Sequence, residues 1–239
     1  MIKLYTAVNA PNPRALENII AIKQIEVETI TVDLIGGENR GDDYVKTNPA
    51  GQLPCIELED GQVIAEVAAI AEYLEELKPD PVLVGNNAAE RAHTRMRMRQ
   101  CDYLIFAPGM AGFRNTEGAD FFRSRMRIDE TIGAPMKRNT EDGFAWLDSQ
   151  LVGQDFICGD ELRYVDCIFY PLVLFLSKVS IPIDSELENL NANNVKLHVI
   201  GNLRKIHPRI QDKILNAVQV TERNKGLNLY IALSYSGRE

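Results

Sequence analysis

The sequence predicts an α/β domain over residues 1–80 and an all-α domain over residues 88–239, joined by a linker at about 78–87. Three observations predict this. Strand and helix patterns alternate up to residue 77. A proline-rich segment, Lys78-Pro79-Asp80-Pro81, then ends the last helix, because proline disfavours helix in the residue before it. After the linker the strand patterns vanish and helical periodicity takes over.

The first half of the α/β domain has the pattern strand, helix, strand. Ile2 to Ala7 alternates like a strand, and a helix is expected from the next loop to about Lys23. We expect Asn12 to be its N-cap and Pro13 its first residue, since these residue types favour those positions. Glu26 to Leu34 is rich in isoleucine, valine and threonine, which is typical of a strand. The right-handed crossover rule predicts that the two strands are parallel.

The stretch from Asn48 to Leu77 predicts a loop, a strand, a hairpin turn, a second strand and a helix. Pro54 opens the first strand, where a missing N–H is tolerated, and Asp60-Gly61 is a short-hairpin dipeptide. From Glu66 onward, apolar residues fall on one helix face: Val67, Ile70, Leu74 and Leu77. The whole order is thioredoxin-like, and it brings a proline-led strand beside a helix N-terminus, a place to hold a peptide and a carboxylate.

Helical periodicity dominates the rest of the chain. Breaks are expected at Pro108-Gly109 and Gly112, a kink or split at Pro135, and a frayed tail over Ser234 to Glu239. The candidate helices are Ala88 to about Phe106, Phe121 to Leu151, Tyr164 to Ser177, and Val195 to about Val218.

Composition excludes several function classes. A net charge of −8 argues against a nucleic-acid binder. The longest apolar run, Cys167 to Leu176, is about half the roughly 20 residues that a membrane helix needs, and no signal peptide pattern is present. Four scattered cysteines show no metal-binding spacing, so we expect reduced thiols and no metal site. These features favour a cytoplasmic protein with no membrane partner.

Three groups of residues resemble a known family in order and spacing. They are Gly51-Gln52-Leu53-Pro54, Glu66-Val67-Ala68-Ala69-Ile70 and Tyr73-Leu74. They resemble the glutathione-binding half of the cytosolic glutathione S-transferase family, in which a thioredoxin-like domain precedes a helical one. Residues 159–166 are similar to that family's helix cap, with Arg163 in place of a hydroxyl, so Asp166 is expected to be structural. The resemblance implies glutathione as co-substrate, no metal, and a homodimer.

The resemblance also implies a set of glutathione-binding residues. Pro54 lies where the family has a cis proline, and Leu53 would pair through its backbone with the cysteine of glutathione, as an added strand does. Glu66 would meet the γ-glutamyl ammonium, and the Val67 N–H would meet its carboxylate. Val67 replaces a family serine, and one lost hydrogen bond to a charged group costs about 1.5–3 kcal/mol.

Two further residues complete that set. Gln52 would hydrogen-bond the glycine end of glutathione, and Arg40 would pair with its carboxylate. Each residue also has a simpler interpretation: an edge-strand proline at Pro54, a first-turn acid that suits the helix dipole at Glu66, and a solvated loop arginine at Arg40.

The family activates the glutathione thiol with Tyr, Ser or Cys, and here Ala10 occupies that position. The remaining candidates are Asn12, Asn9 and the helix dipole, because one donor to sulfur favours the thiolate. Ala10-Pro11-Asn12 is similar to a Thr-Pro-Asn turn of some bacterial members with the threonine lost. The alternative role for Asn12 is the helix N-cap.

The helical domain offers two further candidate features. Phe106, Met110 and Phe113 would form a pocket for an apolar electrophile, with Phe121 and Phe122 nearby, although aromatic residues are more often core. Arg91, Arg95 and Arg99 share one helix face, and we expect this face to be solvated or salt-bridged in preference to lining a dimer cleft.

The predicted function is conjugation of glutathione to an apolar electrophile by a glutathione transferase with an atypical catalytic loop. One alternative is a non-catalytic protein on the same fold that binds a protein partner. Another is a glutathione-dependent lyase, isomerase or dehalogenase.

Overall fold

The computed structural model describes residues 1–179, 196–201, 215, 218–225 and 228–233. The chain divides into two compact units, Met1–Val179 and Ser180–Glu239, and each is described by itself. The predicted domain boundary at about 78–87 falls within the first unit.

The first unit begins with a four-stranded mixed sheet. Its strand order is β2-β1-β3-β4, with β1 parallel to β2 and antiparallel to β3, and β3 antiparallel to β4. This confirms the thioredoxin-like fold that the sequence predicts. The elements are β1 (Ile2–Thr6), α1 (Pro11–Lys23), β2 (Val27–Thr31), a 3-10 turn (Glu38–Arg40), α2 (Asp42–Thr47), β3 (Cys55–Glu57), β4 (Val63–Ala65) and α3 (Val67–Leu77).

Helices α1 and α3 pack on each other through their apolar faces. Leu16 and Ile19 of α1, and Ile70 and Leu74 of α3, are fully buried. Leu77 was predicted on the same face, but its side chain is 53% exposed because the helix ends there. The predicted amphipathic helix is otherwise confirmed.

The helical part of the first unit follows the linker. Its elements are α4 (Ala88–Cys101), a π-helical segment (Asp102–Phe106), α5 (Ala107–Arg114), α6 (Ala119–Phe122), a 3-10 turn (Glu130–Ile132), α7 (Gly133–Gln150) and α8 (Tyr164–Leu176). The single helix predicted over Phe121 to Leu151 is instead two helices, and Pro135 lies in the first turn of α7.

No break occurs at Pro108, which corrects the sequence prediction. The helix continues through the π-helical segment, a type of insertion that accommodates a missing N–H. The two following glycines serve helix packing instead of ending the helix. A Cβ on Gly109 would lie 2.9 Å from Leu176, and one on Gly112 would lie 2.8 Å from Lys137.

A buried ion pair fixes the linker to the α/β part. The Lys23 ammonium, fully buried at the end of α1, donates to the Glu75 carboxylate at 2.5 Å and to the Lys78 and Pro81 carbonyls at 2.8 and 2.6 Å. Glu75 in turn accepts backbone N–H bonds from Leu83 and Val84 in the linker. The linker is therefore held by a network in which both charges are satisfied.

The second unit contains two parallel strands, β5 (Lys196–Gly201) and β6 (Asn228–Leu233), paired in register from Lys196 with Asn228 to Gly201 with Leu233. The helix predicted from Val195 to about Val218 is therefore wrong at its beginning, because β-sheet pairing overrides the weak helical pattern there. Helical residues do occur at 218–221. The tail predicted over Ser234 to Glu239 lies outside the described residues.

Two features are absent from the described ranges. No helix there is long and apolar enough to cross a membrane. No cluster of His, Cys, Asp and Glu with metal-binding geometry occurs in the same ranges. All four cysteines are free thiols; Cys55, Cys101 and Cys167 are buried and Cys158 is half-buried.

Candidate functional site

Two neighbouring cavities of the first unit gather most of the predicted site residues. The loop-side cavity, of about 410 Å³, lies against the first loop, the Arg40 loop and residues Gln52 and Leu53. The helix-side cavity, of about 550 Å³, lies against the start of α3 and helices α4, α5 and α8. Four residues line both cavities and so mark their junction: Pro11, Asn12, Met110 and Arg114.

The first loop places Asn12 at this junction. Helix α1 begins at Pro11, with Ala10 as its N-cap in an extended conformation and no side-chain cap bond. The predicted N-cap role of Asn12 is therefore wrong, because Pro11 already occupies the first helical position that was assigned to Pro13. The Asn12 side chain is exposed and has no hydrogen-bond partner in the described part of the chain.

Asn9 does not join the site. It has a left-handed backbone with φ of 62°, which asparagine tolerates, and it is exposed. It lines neither cavity. Of the two asparagines predicted to act on sulfur, the structure brings only Asn12 to the cavities.

The Leu53-Pro54 peptide bond is cis, which confirms the sequence prediction. Neither the N–H nor the C=O of Leu53 has a hydrogen-bond partner among the described residues, although the side chain is buried. The preceding loop is held in place, since the Gln52 carbonyl accepts from the Tyr44 hydroxyl at 2.7 Å and from the Asn48 amide at 2.8 Å. The loop is therefore fixed, while the backbone N–H and C=O of Leu53 are left without partners.

The start of α3 borders the helix-side cavity. Glu66 is the N-cap, with φ of 69°, and its exposed carboxylate makes no cap bond. The helix therefore begins at Val67, one residue later than predicted, and Val67 is buried. The N–H groups of the first helical turn have no acceptor within the helix and lie at the positive end of its dipole.

Arg40 and Gln52 line the loop-side cavity, as the predicted glycine-end residues should. The Arg40 guanidinium donates to the Ala50 carbonyl at 3.2 Å and lies against Gly51. Arg40 is therefore oriented toward the loop that carries Gln52 and Leu53, and it is more than a solvated loop side chain.

The predicted electrophile pocket is only partly assembled. Phe106 lines the helix-side cavity and Met110 lines both cavities. Phe113 lines neither; its ring packs edge-on against Phe122 at 5.9 Å and Phe175 at 5.0 Å between centroids. Phe121 and Phe122, named only as neighbours from the sequence, line the loop-side cavity.

Tyrosines near the sheet are not free to act on a thiol. The Tyr5 hydroxyl donates to Glu57 at 2.6 Å, and this bond raises the pKa of Tyr5. The Tyr44 hydroxyl donates to the Gln52 carbonyl, and burial raises its pKa. Tyr164 differs from these two tyrosines in that it lines the helix-side cavity. It is buried, and burial raises its pKa.

The arginine face of α4 forms salt bridges, as expected. Arg91 pairs with Glu76 at 2.9 Å, Arg95 with Glu72 at 2.6 Å and Arg99 with Asp102 at 2.7 Å. These pairs connect α4 to α3 and to the π-helical segment. Asp166 accepts backbone bonds from Ile157 and Arg163, which agrees with a structural role.

The lining residues that the sequence did not predict include Arg114, Arg125 and Tyr164. No motif marks the two arginines, and Tyr164 was noted only as the start of a helix. A third cavity, of about 660 Å³, is lined by residues such as Tyr103 and Trp146 and contains no predicted site residue.

Comparison with known proteins shows which families the chain is similar to. Residues 11–77 match the family described as "Glutathione S-transferase, N-terminal domain". The chain is 23% identical to Glutathione S-transferase 2 of Saccharomyces cerevisiae, covering 79% of this chain and 82% of that protein. It is 25% identical to maleylacetoacetate isomerase of Pseudomonas aeruginosa, covering 77% of this chain and 85% of that protein.

Two solved structures share the fold. One is Gtt2 of Saccharomyces cerevisiae, with a TM-score of 0.71 and 24% identity, covering 80% of this chain and 92% of that one. The other is a glutathione transferase homologue from Sulfitobacter with bound glutathione, with a TM-score of 0.65 and 18% identity, covering 77% and 86%.

The end of the chain matches a different family. Residues 172–239 match "Putative undecaprenyl diphosphate synthase". Over 56 residues the chain is 46% identical to the undecaprenyl diphosphate synthase of Blochmanniella floridana, covering 23% of this chain. The chain spans only about a fifth of that synthase, 22% of its length.

Proposed function

We propose that this chain, a protein of the cytosolic glutathione S-transferase family, binds glutathione across the two joined cavities and activates its thiol for reaction with an electrophile. The observation that carries this proposal is that the backbone N–H and C=O of Leu53, before the cis bond to Pro54, have no partner among the described residues. Leu53 lines the same cavity as Asn12 and Arg40. An extended peptide binds such backbone groups through main-chain hydrogen bonds.

The two ends of glutathione carry different charged groups, and each group has a suitable partner in the site. The exposed Glu66 carboxylate suits the γ-glutamyl ammonium, and the first-turn N–H groups of α3, beginning at Val67, suit its carboxylate. Arg40 and Gln52 suit the glycine carboxylate in the loop-side cavity. A peptide held at both ends would place its central cysteine near the junction of the cavities.

Asn12 is the proposed thiol-activating residue. Its amide N–H donates to a thiolate without transferring a proton, and the N-terminus of α1 adds a favourable dipole. The protein's own cysteines are poor candidates for the reacting thiolate, since burial raises the pKa of all four thiols.

A glutathione-dependent isomerase is the second candidate, because named relatives are maleylacetoacetate isomerases. In such chemistry a thiolate adds to a conjugated double bond, the new single bond rotates, and elimination restores both the double bond and the thiolate. The same activated thiolate serves either reaction.

The assembly and location of the protein are part of the proposal. We propose a cytoplasmic homodimer, as the family implies, with a functional boundary between the glutathione-binding part and the helical part near residues 78–87. The rival is a glutathione-transferase fold that binds a protein partner without catalysis, which the loss of hydroxyls at Ala10 and Val67 favours.

Calorimetry with glutathione, followed by conjugation of a neutral chloronitrobenzene, tests the proposal. Wild-type protein should bind glutathione and turn over the chloroaromatic compound. Glu66→Gln should weaken binding, while the matched variant Glu76→Gln should not, because Glu76 lies on the same helix but pairs with Arg91 outside both cavities. Absence of binding at millimolar glutathione would contradict the proposal, and binding without turnover of conjugation or isomerisation substrates would favour the non-catalytic rival.

A further inference from the structure

Three arginines line the loop-side cavity: Arg40, Arg114 and Arg125. No aspartate or glutamate lines that cavity, and none of the three arginines contacts a carboxylate within the described ranges. Five other arginines of the first unit each pair with an acidic side chain: Arg91, Arg95, Arg99, Arg123 and Arg163. The loop-side cavity is therefore a concentration of uncompensated positive charge.

Arg114 is the most constrained of the three. Its side chain is half-buried at the junction of the two cavities, and its Nε has no hydrogen-bond partner. Burial, and to a smaller extent the nearby Arg40, lowers the pKa of Arg114, as expected for a charge with little access to water. A partly buried cation without a partner costs free energy that a bound anion recovers.

Arg125 faces the same cavity from the segment after α6. Its guanidinium carbon lies 4.0 Å from the centroid of the Phe121 ring, and its Nη2 donates to the Leu34 carbonyl at 3.3 Å. The Arg114 guanidinium is similarly placed over Phe122, at 5.4 Å. Each arginine is thus stacked on an aromatic ring that holds its orientation while leaving N–H donors available.

Glutathione accounts for only one of these cations, provided that the proposed function is correct. Its glycine end brings one carboxylate to the loop-side cavity, and Arg40 is the arginine fixed beside the Gln52 loop. Arg114 and Arg125 then remain unpaired. The rest of the wall near them is apolar and is formed by Leu34, Met110, Phe121, Phe122 and Met126.

We infer that the second substrate is an electrophile with an aromatic or unsaturated apolar body and a carboxylate, and that Arg114, assisted by Arg125, binds this carboxylate. This inference narrows the proposed function from apolar electrophiles in general to anionic ones. Because Arg114 lines both cavities, an anion bound there lies beside Asn12, where the thiolate is proposed to form.

A matched pair of chloroaromatic compounds tests the inference: 4-chloro-3-nitrobenzoate and its neutral methyl ester. In both reactions the glutathione thiolate forms a C–S bond at the ring carbon, chloride leaves, and the thiol proton passes to water. The ester is the more reactive compound toward free thiolate, because an ester group withdraws electrons more strongly than a carboxylate, so kcat/KM is divided by the uncatalysed rate constant of each compound. We expect this rate enhancement to favour the benzoate. Arg114→Gln should lower kcat/KM for the benzoate by about tenfold to a hundredfold, the range for losing one hydrogen bond to a charged group, and should change the value for the ester little.

Three controls separate charge recognition from damage to the fold. Arg114→Lys should restore part of the benzoate activity, and Arg125→Gln should reduce it less than Arg114→Gln. Arg123→Gln should behave as wild type, because Arg123 is exposed, pairs with Glu130 and lies outside both cavities. The affinity for glutathione should be unchanged in Arg114→Gln.

Equilibrium binding of the benzoate without glutathione distinguishes this inference from the proposed function. Equal rate enhancements over the uncatalysed reactions of the two compounds, in a wild-type protein that binds glutathione, would overturn the inference and leave the proposed function in place. Benzoate binding that is lost in Arg114→Gln, in a protein that binds no glutathione, would support the anion site and overturn the proposed function.

Discussion

Asn12 is the residue on which thiol activation is expected to depend, because it is the polar side chain of the first loop that reaches both cavities. We expect Asn12→Ala to raise the pKa of the bound glutathione thiol and to lower kcat by roughly tenfold to a hundredfold, since a donor to a charged group is removed. The ultraviolet absorbance of the thiolate, titrated against pH, measures that pKa directly.

Asn9→Ala is the matched control for this change. Asn9 lies three residues earlier, in the loop before α1, and lines neither cavity, so its loss should leave the thiol pKa unchanged. Equal and small effects of the two substitutions would instead make the dipole of α1 the main activator. Tyr164→Phe removes a hydroxyl that lines the helix-side cavity and should have a smaller effect than Asn12→Ala.

Val67 offers a gain-of-affinity test at the start of α3. Val67→Thr keeps the branched shape of a buried side chain and adds the hydroxyl that the family usually has there. We expect glutathione to bind more tightly by about 1.5–3 kcal/mol, the value of one hydrogen bond to its carboxylate, as calorimetry measures. Val67→Ala is the control, because it changes packing without adding a donor. Equal affinities in the two variants would show that this helix end does not hold the carboxylate.

For single residues, the sequence predicted backbone conformation better than the roles of side chains. The cis Leu53-Pro54 bond follows from a short, recognisable pattern, and the structure contains it. The N-cap position of Asn12 was wrong, because two prolines flank it and the sequence does not decide which one begins the helix. Arg114 had no local signal, since its importance comes from the absence of acidic residues around a cavity that distant segments form.

Among the elements, the connection of α1 to α3 and the linker depends on the buried pair of Lys23 and Glu75. Lys23→Ala should destabilise the protein by about 3–5 kcal/mol, because it leaves a buried carboxylate without its partner. The double substitution of both residues by leucine should cost much less than the sum of the single changes. Urea unfolding of the two single variants and the double variant measures this difference.

The exposed pair of Lys46 and Asp43 is the control for this ion pair. Both side chains are largely in solvent, so Lys46→Ala should leave the unfolding midpoint nearly unchanged. A small effect of Lys23→Ala, comparable with that of Lys46→Ala, would show that the linker is held by packing instead of by its charge network.

The positions of helices and strands were predictable where a local sequence pattern determined them. They were not predictable where tertiary contacts determined them. Helices α1, α3 and α8 end within a residue or two of the predicted positions. The break expected at Pro108 failed because a π-helical segment absorbs the missing N–H. Residues 196–201 were predicted as helix because the all-α expectation was carried to the end of the chain, whereas they pair as a parallel strand.

At the scale of the whole molecule, the chain joins segments that resemble two different families. The match to the glutathione transferase N-terminal family covers residues 11–77, within the first compact unit, and the match to a diphosphate synthase covers residues 172–239, mostly the second unit. Parallel strands such as β5 and β6 are usually covered on both faces in larger sheets. The two units are therefore expected to differ in whether each can fold by itself.

This difference leads to a truncation prediction. All described residues that line the loop-side and helix-side cavities lie between Ala10 and Leu172, within a unit that ends at Val179 and has its own core. A chain of residues 1–179 should therefore bind glutathione with the affinity of the full chain, and it should keep the same preference for 4-chloro-3-nitrobenzoate over its methyl ester. Calorimetry and steady-state kinetics on both chains measure this.

A shorter chain, residues 1–163, is the matched control. It removes α8, whose buried Val165, Ile168 and Leu172 pack in the first unit and whose Tyr164 lines the helix-side cavity. Losing several buried apolar side chains at once exceeds the stability of an ordinary domain, so this chain should not fold. If residues 1–179 fold but lose glutathione, binding depends on residues 180–239.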